Sequence, residues 1–546
     1  MSTRSTGLIR NAGTLPPRRY LLVPPEPTPN GRLHLGHIAG PYLRSDMLSR
    51  FARMRGDLPL TITGIDVYEP YMTLKSAVDG RPEGEIAAEY HALIAEDLAA
   101  MDIGLDAFIN PAEEPWRAAF EDEVAGCLRR LRERGAVTTL RERVPYSPAA
   151  GRFAVGPWLS GRCPDCGADA GSYFCESCGG HFRPENLRDP EGTNGVGPLQ
   201  WREITSLFLR PADPHDLGSR MAGIGVPARY QETVKRYLSR EGGMVRVSAP
   251  ESWGIPLDQV DPGVPRTLFP YAGIFMFARL TGAVHGSLSG TGVNAFDPGS
   301  DVVTVTSLGV DNVVPTLVCI VGTSLLHGDM KTYDRTLINE FYGLEGEKFS
   351  TSRGHVIGAA DIAGTPNVDV DAVRYFLAGT RLEERRESME PESFVETVNR
   401  RLADGLTPLL ERARRTLAGI SVPEAISDGQ LARLEALLER QQSALDGPVV
   451  STSQALEAFD AWWRSVADLE ESAYWWLKGV SVLGFPIMPR MGRRIWEDLG
   501  GVGEPRLEEF LAPTPPREAT APLGFGAISI GDLVPVLPAT SRYALA

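Results

Sequence analysis

The sequence predicts an α/β protein: a parallel-sheet domain interrupted by a metal-stapled insertion and followed by an all-helical bundle. Three observations carry this. The apolar run Tyr20-Leu21-Leu22-Val23 leads through Asn30-Gly31 into a helical pattern with Leu43, Met47, Phe51 and Met54 on or near one face. Four cysteines cluster between Cys163 and Cys178. After about residue 390 strand signals stop, and Phe394, Val398, Leu402, Leu406, Leu409 and Leu410 recur at helical spacing.

The first unit reads as strand, helix, strand. Its second strand, Leu58-Pro59-Leu60-Thr61-Ile62-Thr63, ends at Gly64-Ile65-Asp66, so the loops lie at the carboxyl ends of the strands, where α/β sheets bind ligands. In the turn Asn30-Gly31-Arg32-Leu33-His34-Leu35-Gly36-His37, two imidazoles stand three residues apart at a helix start. Free N–H groups and partial positive charge at that end suit a phosphate, Gly36 permits close approach, and the imidazoles can donate to phosphoryl oxygens. Residues 85–145 are charge-rich and helical, and 151–200 are dense in glycine, proline and cysteine. The α/β pattern resumes with Val302-Val303-Thr304-Val305-Thr306, which ends at Leu308-Gly309-Val310-Asp311, and the apolar stretch Val313 to Leu326 reads as the next helix. Helical segments continue around Trp462–Leu477 and Ile495–Leu499, and the tail from Pro513 reads as a loop-rich extension.

Cys163-Pro164-Asp165-Cys166 and Cys175-Glu176-Ser177-Cys178, each trailed by glycine, form two knuckles with the spacing of a structural zinc site. Four thiolates leave no open coordination position, so the metal is expected to hold the insertion together. Gly346-Glu347-Lys348-Phe349-Ser350-Thr351-Ser352-Arg353-Gly354 is a cationic, hydroxyl-rich loop whose lysine can neutralise phosphate charge.

Composition sets bounds. The 546 residues allow three or four domains, and the net charge of -15 means that any RNA binding needs a local basic face. No run of about 18 or more apolar residues predicts a membrane span. Six cysteines, four of them clustered, fit a reducing cytoplasm better than a disulfide framework. The opening Met1-Ser2-Thr3-Arg4-Ser5-Thr6 lacks the apolar segment of a secretory signal and reads as part of a loose leader.

In this order the pieces resemble a class I aminoacyl-tRNA synthetase, specifically the methionyl-tRNA synthetase family. His34-Leu35-Gly36-His37 resembles the HIGH motif and Lys348-Phe349-Ser350-Thr351-Ser352 the KMSKS motif. The cysteine knuckles sit in the connective insertion where the family carries zinc, and Gly309-Val310-Asp311-Asn312 resembles the GKDN stretch beside the adenosine. Phe485-Pro486-Ile487-Met488-Pro489 with Ile495-Trp496 resembles the helical anticodon-binding domain. The resemblance runs from about residue 18 to about 513.

It implies a Rossmann-type catalytic domain in two halves, 18–105 and 225–350, after a flexible leader 1–17. A connective insertion 106–224 separates the halves, a stem-contact region 351–390 follows, and a helical bundle 391–513 precedes an extension 514–546. It implies that ATP, with Mg2+, activates an amino acid to an aminoacyl-adenylate that passes to tRNA. His34 and His37 would stabilise the α-phosphate and Lys348 the departing pyrophosphate. Gly36, Asp311, Asn312, Ser350 and Ser352 would bind ATP, Asp66 the α-ammonium group, and Arg412 and Trp475 the anticodon. A monomer is expected.

The departures from the family cluster where the side chain of the substrate binds. Glu26 and Thr28 stand for an apolar leucine and a tyrosine, Phe269 for a tryptophan, Thr316 for a histidine and Tyr271 for an aspartate. The family's Glu-His-Gly after Asp66 is Val67-Tyr68-Glu69. A thioether pocket should be apolar, so the side chain expected here is polar or cationic rather than methionine. Thr351 replaces the second lysine of KMSKS, at a cost on the order of 2–4 kcal/mol of transition-state stabilisation that Arg353 could partly offset. Pro408 and Val466 replace anticodon-reading asparagines. The readings left open are a housekeeping methionine–tRNA ligase, a paralogue charging another amino acid or passing it to a small amine, and a nonenzymatic RNA-binding relic.

Overall fold

The computed structural model describes residues 7–14, 16–175, 177–257, 266–351, 353–417, 423–517 and 522–544. Five strands form the central sheet: β1 (Arg19–Val23), β2 (Leu58–Gly64), β3 (Ala107–Ile109), β4 (Val303–Gly309) and β5 (Arg335–Asn339). They lie in the order β5-β4-β1-β2-β3, every pair parallel, with Leu21 opposite both Thr304 and Leu60. The chain winds outward from β1 to β3, then returns to the far side of β1. The strand order therefore reverses between β1 and β4, and their carboxyl ends flank a crevice suited to a ligand. β3 falls within the segment read as insertion, so the first half of the sheet extends past residue 105. Three residues are too few to show a period-two pattern.

β1 alternates strictly. Tyr20 and Leu22 face a core shared with helix Leu43–Arg55 and the C-terminal bundle, whereas Leu21 and Val23 face helix Pro270–Leu288. The helix after the histidine turn starts at Leu35–His37, widens into a π-helical stretch Ile38–Tyr42 around Pro41 and continues as Leu43–Arg55. Proline cannot donate its backbone bond inside a helix, and the wider turn absorbs the mismatch. After β4 the chain forms one apolar helical run from Val310 to His327. It is long and apolar enough to cross a membrane, but it packs against Pro270–Leu288 with 72% of its residues buried in the protein.

The insertion grows from a long antiparallel pair, Val137–Ser147 with Gln200–Leu209, and carries a three-stranded knuckle sheet of Leu159–Arg162, Asp169–Gly171 and Arg188–Gly192. The Trp158 indole N–H donates to Thr73 Oγ1 at 3.1 Å, which fixes the knuckle over the loop that follows Asp66.

In the bundle, Phe394, Val398, Leu402, Leu406 and Leu410 are buried and Leu409 half-buried. Asp446, the last residue of helix Asp428–Asp446, is gripped from the sheet domain. Arg55 donates to it at 2.9 Å and Arg335 at 2.7 Å, with Arg18 and the Tyr20 hydroxyl also bonded. Arg374, fully buried, donates to Asp46 at 2.6 Å and to the Ile487 carbonyl at 2.9 Å. Part of the segment read as a leader is also docked: Ile9 is buried, and the Arg10 backbone N–H donates to Glu435 at 3.0 Å.

Despite burial, the three guanidinium groups pull the Asp446 carboxyl down from 3.8 to about 2. A carboxylate with a depressed native value stabilises the fold above its unfolded value and stops doing so as pH falls through the native one. The shift corresponds to about 2 kcal/mol, present above pH 4 and lost between about pH 4 and 2. In urea unfolding followed across that range, Asp446→Asn should lower stability by about 2 kcal/mol at pH 7 and remove this part of the acid sensitivity.

Candidate active site

The histidine turn and the lysine loop meet at the crevice. The His34 and His37 rings stack with centroids 3.8 Å apart, and Phe349 stacks on the other side of His34 at 4.8 Å. The Gly36 N–H donates to His34 Nδ1 at 3.1 Å and the His34 N–H to His37 Nδ1 at 3.2 Å. Each Nδ1 is therefore an acceptor, which places the ring proton on Nε2 and leaves a neutral N–H donor on each ring. Burial, the partner ring and Lys348 hold His34 well below its usual value, and burial with Lys348 brings His37 to about 4. The pair is neutral at physiological pH and donates without carrying charge.

Gly36 is required by packing: a Cβ there would lie 2.9 Å from the Phe349 ring and 3.0 Å from His34. Backbone bonds complete the junction. Leu35 N–H donates to the Ile357 carbonyl at 3.0 Å and Ala359 N–H to the Leu33 carbonyl at 2.9 Å. Lys348 is exposed, with Nζ 4.7 Å from the centre of the Phe341 ring. Ser350 pairs through its backbone with His355, and Ser352 lies outside the described residues. Arg353 is exposed and lies 3.7 Å from Glu347. Asp311 and Asn312 occupy the 3-10 turn at the tip of β4, both half-buried, and the Asp311 carbonyl lies 3.3 Å from His181 Nε2 on the knuckle.

Beside this junction a narrow cleft is lined by Glu26, Asp66, Tyr68, Phe120, Leu268 and Phe277, among others. Among the described residues Thr28 and Thr316 are not part of that lining; Thr316 is buried in the helix after β4. Phe269 lies in an aromatic group, 5.2 Å from Tyr173 of the knuckle and 5.0 Å from Tyr271. Burial raises Asp66 to about 7, burial and Asp66 raise Glu26 well above the carboxylate range, and burial, Asp66 and Glu251 do the same to Glu69. Burial lifts Glu251 to about 8. Glu251, Tyr173 and His181 belong to no spacing pattern, so sequence reasoning passed over them.

The knuckles bring the four sulfur atoms to within 4.8 Å of one another, with Cys163 and Cys178 3.7 Å and Cys166 and Cys175 3.6 Å apart. A tetrahedral zinc–thiolate site with bonds near 2.3 Å spaces its sulfurs by about 3.8 Å, so this cluster can hold a metal of that kind. Gly167 and Gly179 supply the left-handed turn after each knuckle, at φ 74° and 67°. Chelation should release one metal ion per chain, measured by a chromogenic zinc assay, and should loosen the Tyr173 wall. Cys166→Ser, at the exposed ligand, should lower metal content without unfolding the central sheet.

In the bundle Trp475 is 1% exposed and its indole N–H donates to the Glu424 carbonyl at 2.8 Å. Tyr474 and Phe510 pack against the ring. The chain therefore covers the ring of Trp475, the residue matched to a family anticodon contact. Arg412 is exposed and pairs with Glu470 at 3.1 Å.

The chain matches the family model "tRNA synthetases class I (M)" over residues 20–269 and 295–414. It is 26% identical over 532 residues to a methionine–tRNA ligase of Roseiflexus castenholzii, covering 89% of this chain and 88% of that one. It is 29% identical over 383 residues to a methionine–tRNA ligase of Chlamydia pneumoniae, covering 67% and 65%. Mycobacterium tuberculosis methionyl-tRNA synthetase, solved in complex with methionyl-adenylate, has a similar fold: TM-score 0.71 at 19% identity, covering 93% of this chain and 99% of that one. With a crevice built from both signature turns and a family model that spans more than half of its length, this chain belongs to the methionyl-type class I aminoacyl-tRNA synthetases.

Proposed function

We propose that this enzyme activates an amino acid other than methionine, one with a polar or cationic side chain, as an aminoacyl-adenylate. The observation that carries the reading is the Glu26 carboxyl in the wall of the cleft next to Asp66. A thioether would bury this group against sulfur and leave its hydrogen-bonding capacity unmet. In the proposed reaction the amino acid carboxylate attacks the α-phosphate in line, forming the mixed anhydride and expelling pyrophosphate. The two neutral Nε2–H groups of His34 and His37 donate to phosphoryl oxygens as charge builds, and Lys348 neutralises the leaving pyrophosphate. Asp66 orients the amino acid through its α-ammonium group. ATP enters with Mg2+, and the four-cysteine cluster holds a structural zinc ion. The enzyme works as a cytoplasmic monomer.

The acceptor is tRNA by family membership. Burial of Trp475 supports a second arrangement, in which the aminoacyl group passes to a small amine, because that ring is not offered to a base. Acid-gel analysis of tRNA charging, run beside mass spectrometry of amine-trapped products, separates the two.

ATP–pyrophosphate exchange tests the core of the reading. His37→Asn and Lys348→Ala should each lower the exchange rate on the order of 100-fold while leaving the melting temperature unchanged. Methionine as the best substrate of the native enzyme would contradict the altered pocket.

A further inference from the structure

We infer that the amino acid activated here carries a cationic side chain, an ammonium or guanidinium group received by the Glu26 carboxylate while Asp66 takes the α-ammonium group. This inference rests on the adenylate-forming reading above and names its substrate class.

Four carboxyl groups, Glu26, Asp66, Glu69 and Glu251, border one region. Among the described residues no hydrogen bond or ion pair reaches any of these side chains. Glu251 is 6% exposed, and its Oε1 is buried without a hydrogen-bond partner. Several donors nearby are used elsewhere, although Arg152 Nε is buried without a partner. The Tyr42 hydroxyl donates to the Pro25 carbonyl at 2.8 Å, the Tyr68 hydroxyl to the Pro111 carbonyl at 3.0 Å, and the Trp253 indole to the Val67 carbonyl at 2.7 Å. Arg246, beside Tyr173 and Phe269, is engaged by Glu142 through both of its terminal nitrogens. Arg152 is the cation that acts on Glu251, and its guanidinium lies over Trp158 and donates to Thr73.

A buried carboxyl group with no partner is costly as an anion. Burial displaces all four groups upward, so the empty site favours their protonated forms. One α-ammonium group can compensate only one of the four. The walls around Glu26 fit the rest of a basic amino acid: Phe120, Leu268, Ile274 and Phe277 offer apolar surface to a methylene stem. Phe269, Tyr271 and Tyr173 present ring faces and edges nearby, a setting favourable to a cation. Glu69 and Glu251 add two further carboxyl groups that can ionise once a cation is bound. A neutral polar side chain would meet the hydrogen-bonding need of Glu26 without drawing the carboxyl groups into their charged form.

The test is ATP–pyrophosphate exchange by the purified full-length protein with pairs of near-isosteric amino acids: lysine, ornithine, 2,4-diaminobutyrate and arginine against norleucine, glutamine, citrulline and methionine. The expected result is that a cationic member exceeds its neutral counterpart on the order of 100-fold in kcat/KM. Glu26→Gln should then raise KM for that substrate with little change in kcat and shift preference toward the neutral counterpart. Glu251→Gln, which changes no charge in the empty protonated site, should weaken the same preference in a chain whose melting temperature is retained. A neutral polar amino acid as best substrate overturns this inference and leaves the altered-pocket reading intact. Methionine as best substrate overturns both, and exchange with no amino acid overturns the adenylation reading on which both stand. Selectivity unchanged in both variants overturns the assignment to Glu26.

Discussion

Strand β1 is clamped at one end and chemically active at the other, and the molecule depends on that arrangement. At its amino end Arg18 and Tyr20 join Arg55 and Arg335 around Asp446, so a buried carboxylate from the bundle locks the sheet in place. Such a carboxylate is stabilising only because several guanidinium groups offset its desolvation. At its carboxyl end β1 delivers Glu26 and then the histidine turn into the crevice opposite β4. The clamp therefore sets the position of strand tips that must hold two reacting groups near contact distance, where small displacements cost large factors in rate.

Two kinds of electrostatic tuning lie side by side at that end. The histidine rings are kept neutral by burial and Lys348, and their tautomer is fixed by backbone N–H groups. They are donors that need no proton from solvent. The carboxyl groups beyond them have no hydrogen-bond or ion-pair partner among the described residues, and burial displaces them upward; in the proposed reading a cationic guest displaces their protons. In the proposed reading one face serves a phosphate whose charge is always present, and the other an amino acid whose side-chain charge must be distinguished from its neutral likeness. Tyr173 and His181 place the knuckle against both faces, so a structural metal held by the four cysteines would stiffen the pocket without chemistry of its own.

The parts legible in the sequence were those written in short-range spacing. The histidine pair, the lysine loop, the four cysteines and the helical periodicity from Phe394 onward each occupy a few consecutive positions, and the described residues among them lie where that spacing put them. Features that depend on distant segments were not legible. Glu251 approaches Glu69 only because the loop before Trp253 packs on Val67. Trp475 is covered by Glu424 and Phe510, from two other segments. β3 is too short for a pattern, and Ile9 finds a buried seat on a helix more than four hundred residues away.

The central claim is that the pocket stores protons for exchange against a side-chain cation. Isothermal titration calorimetry near pH 7, in buffers of different ionisation enthalpy, counts protons released on amino acid binding. Because Asp66 sits at about 7 and Glu251 at about 8 in the empty site, with Glu26 and Glu69 also raised, the account predicts more protons released by a basic amino acid than by its neutral isostere. Equal proton release by the two, at comparable affinity, would contradict it.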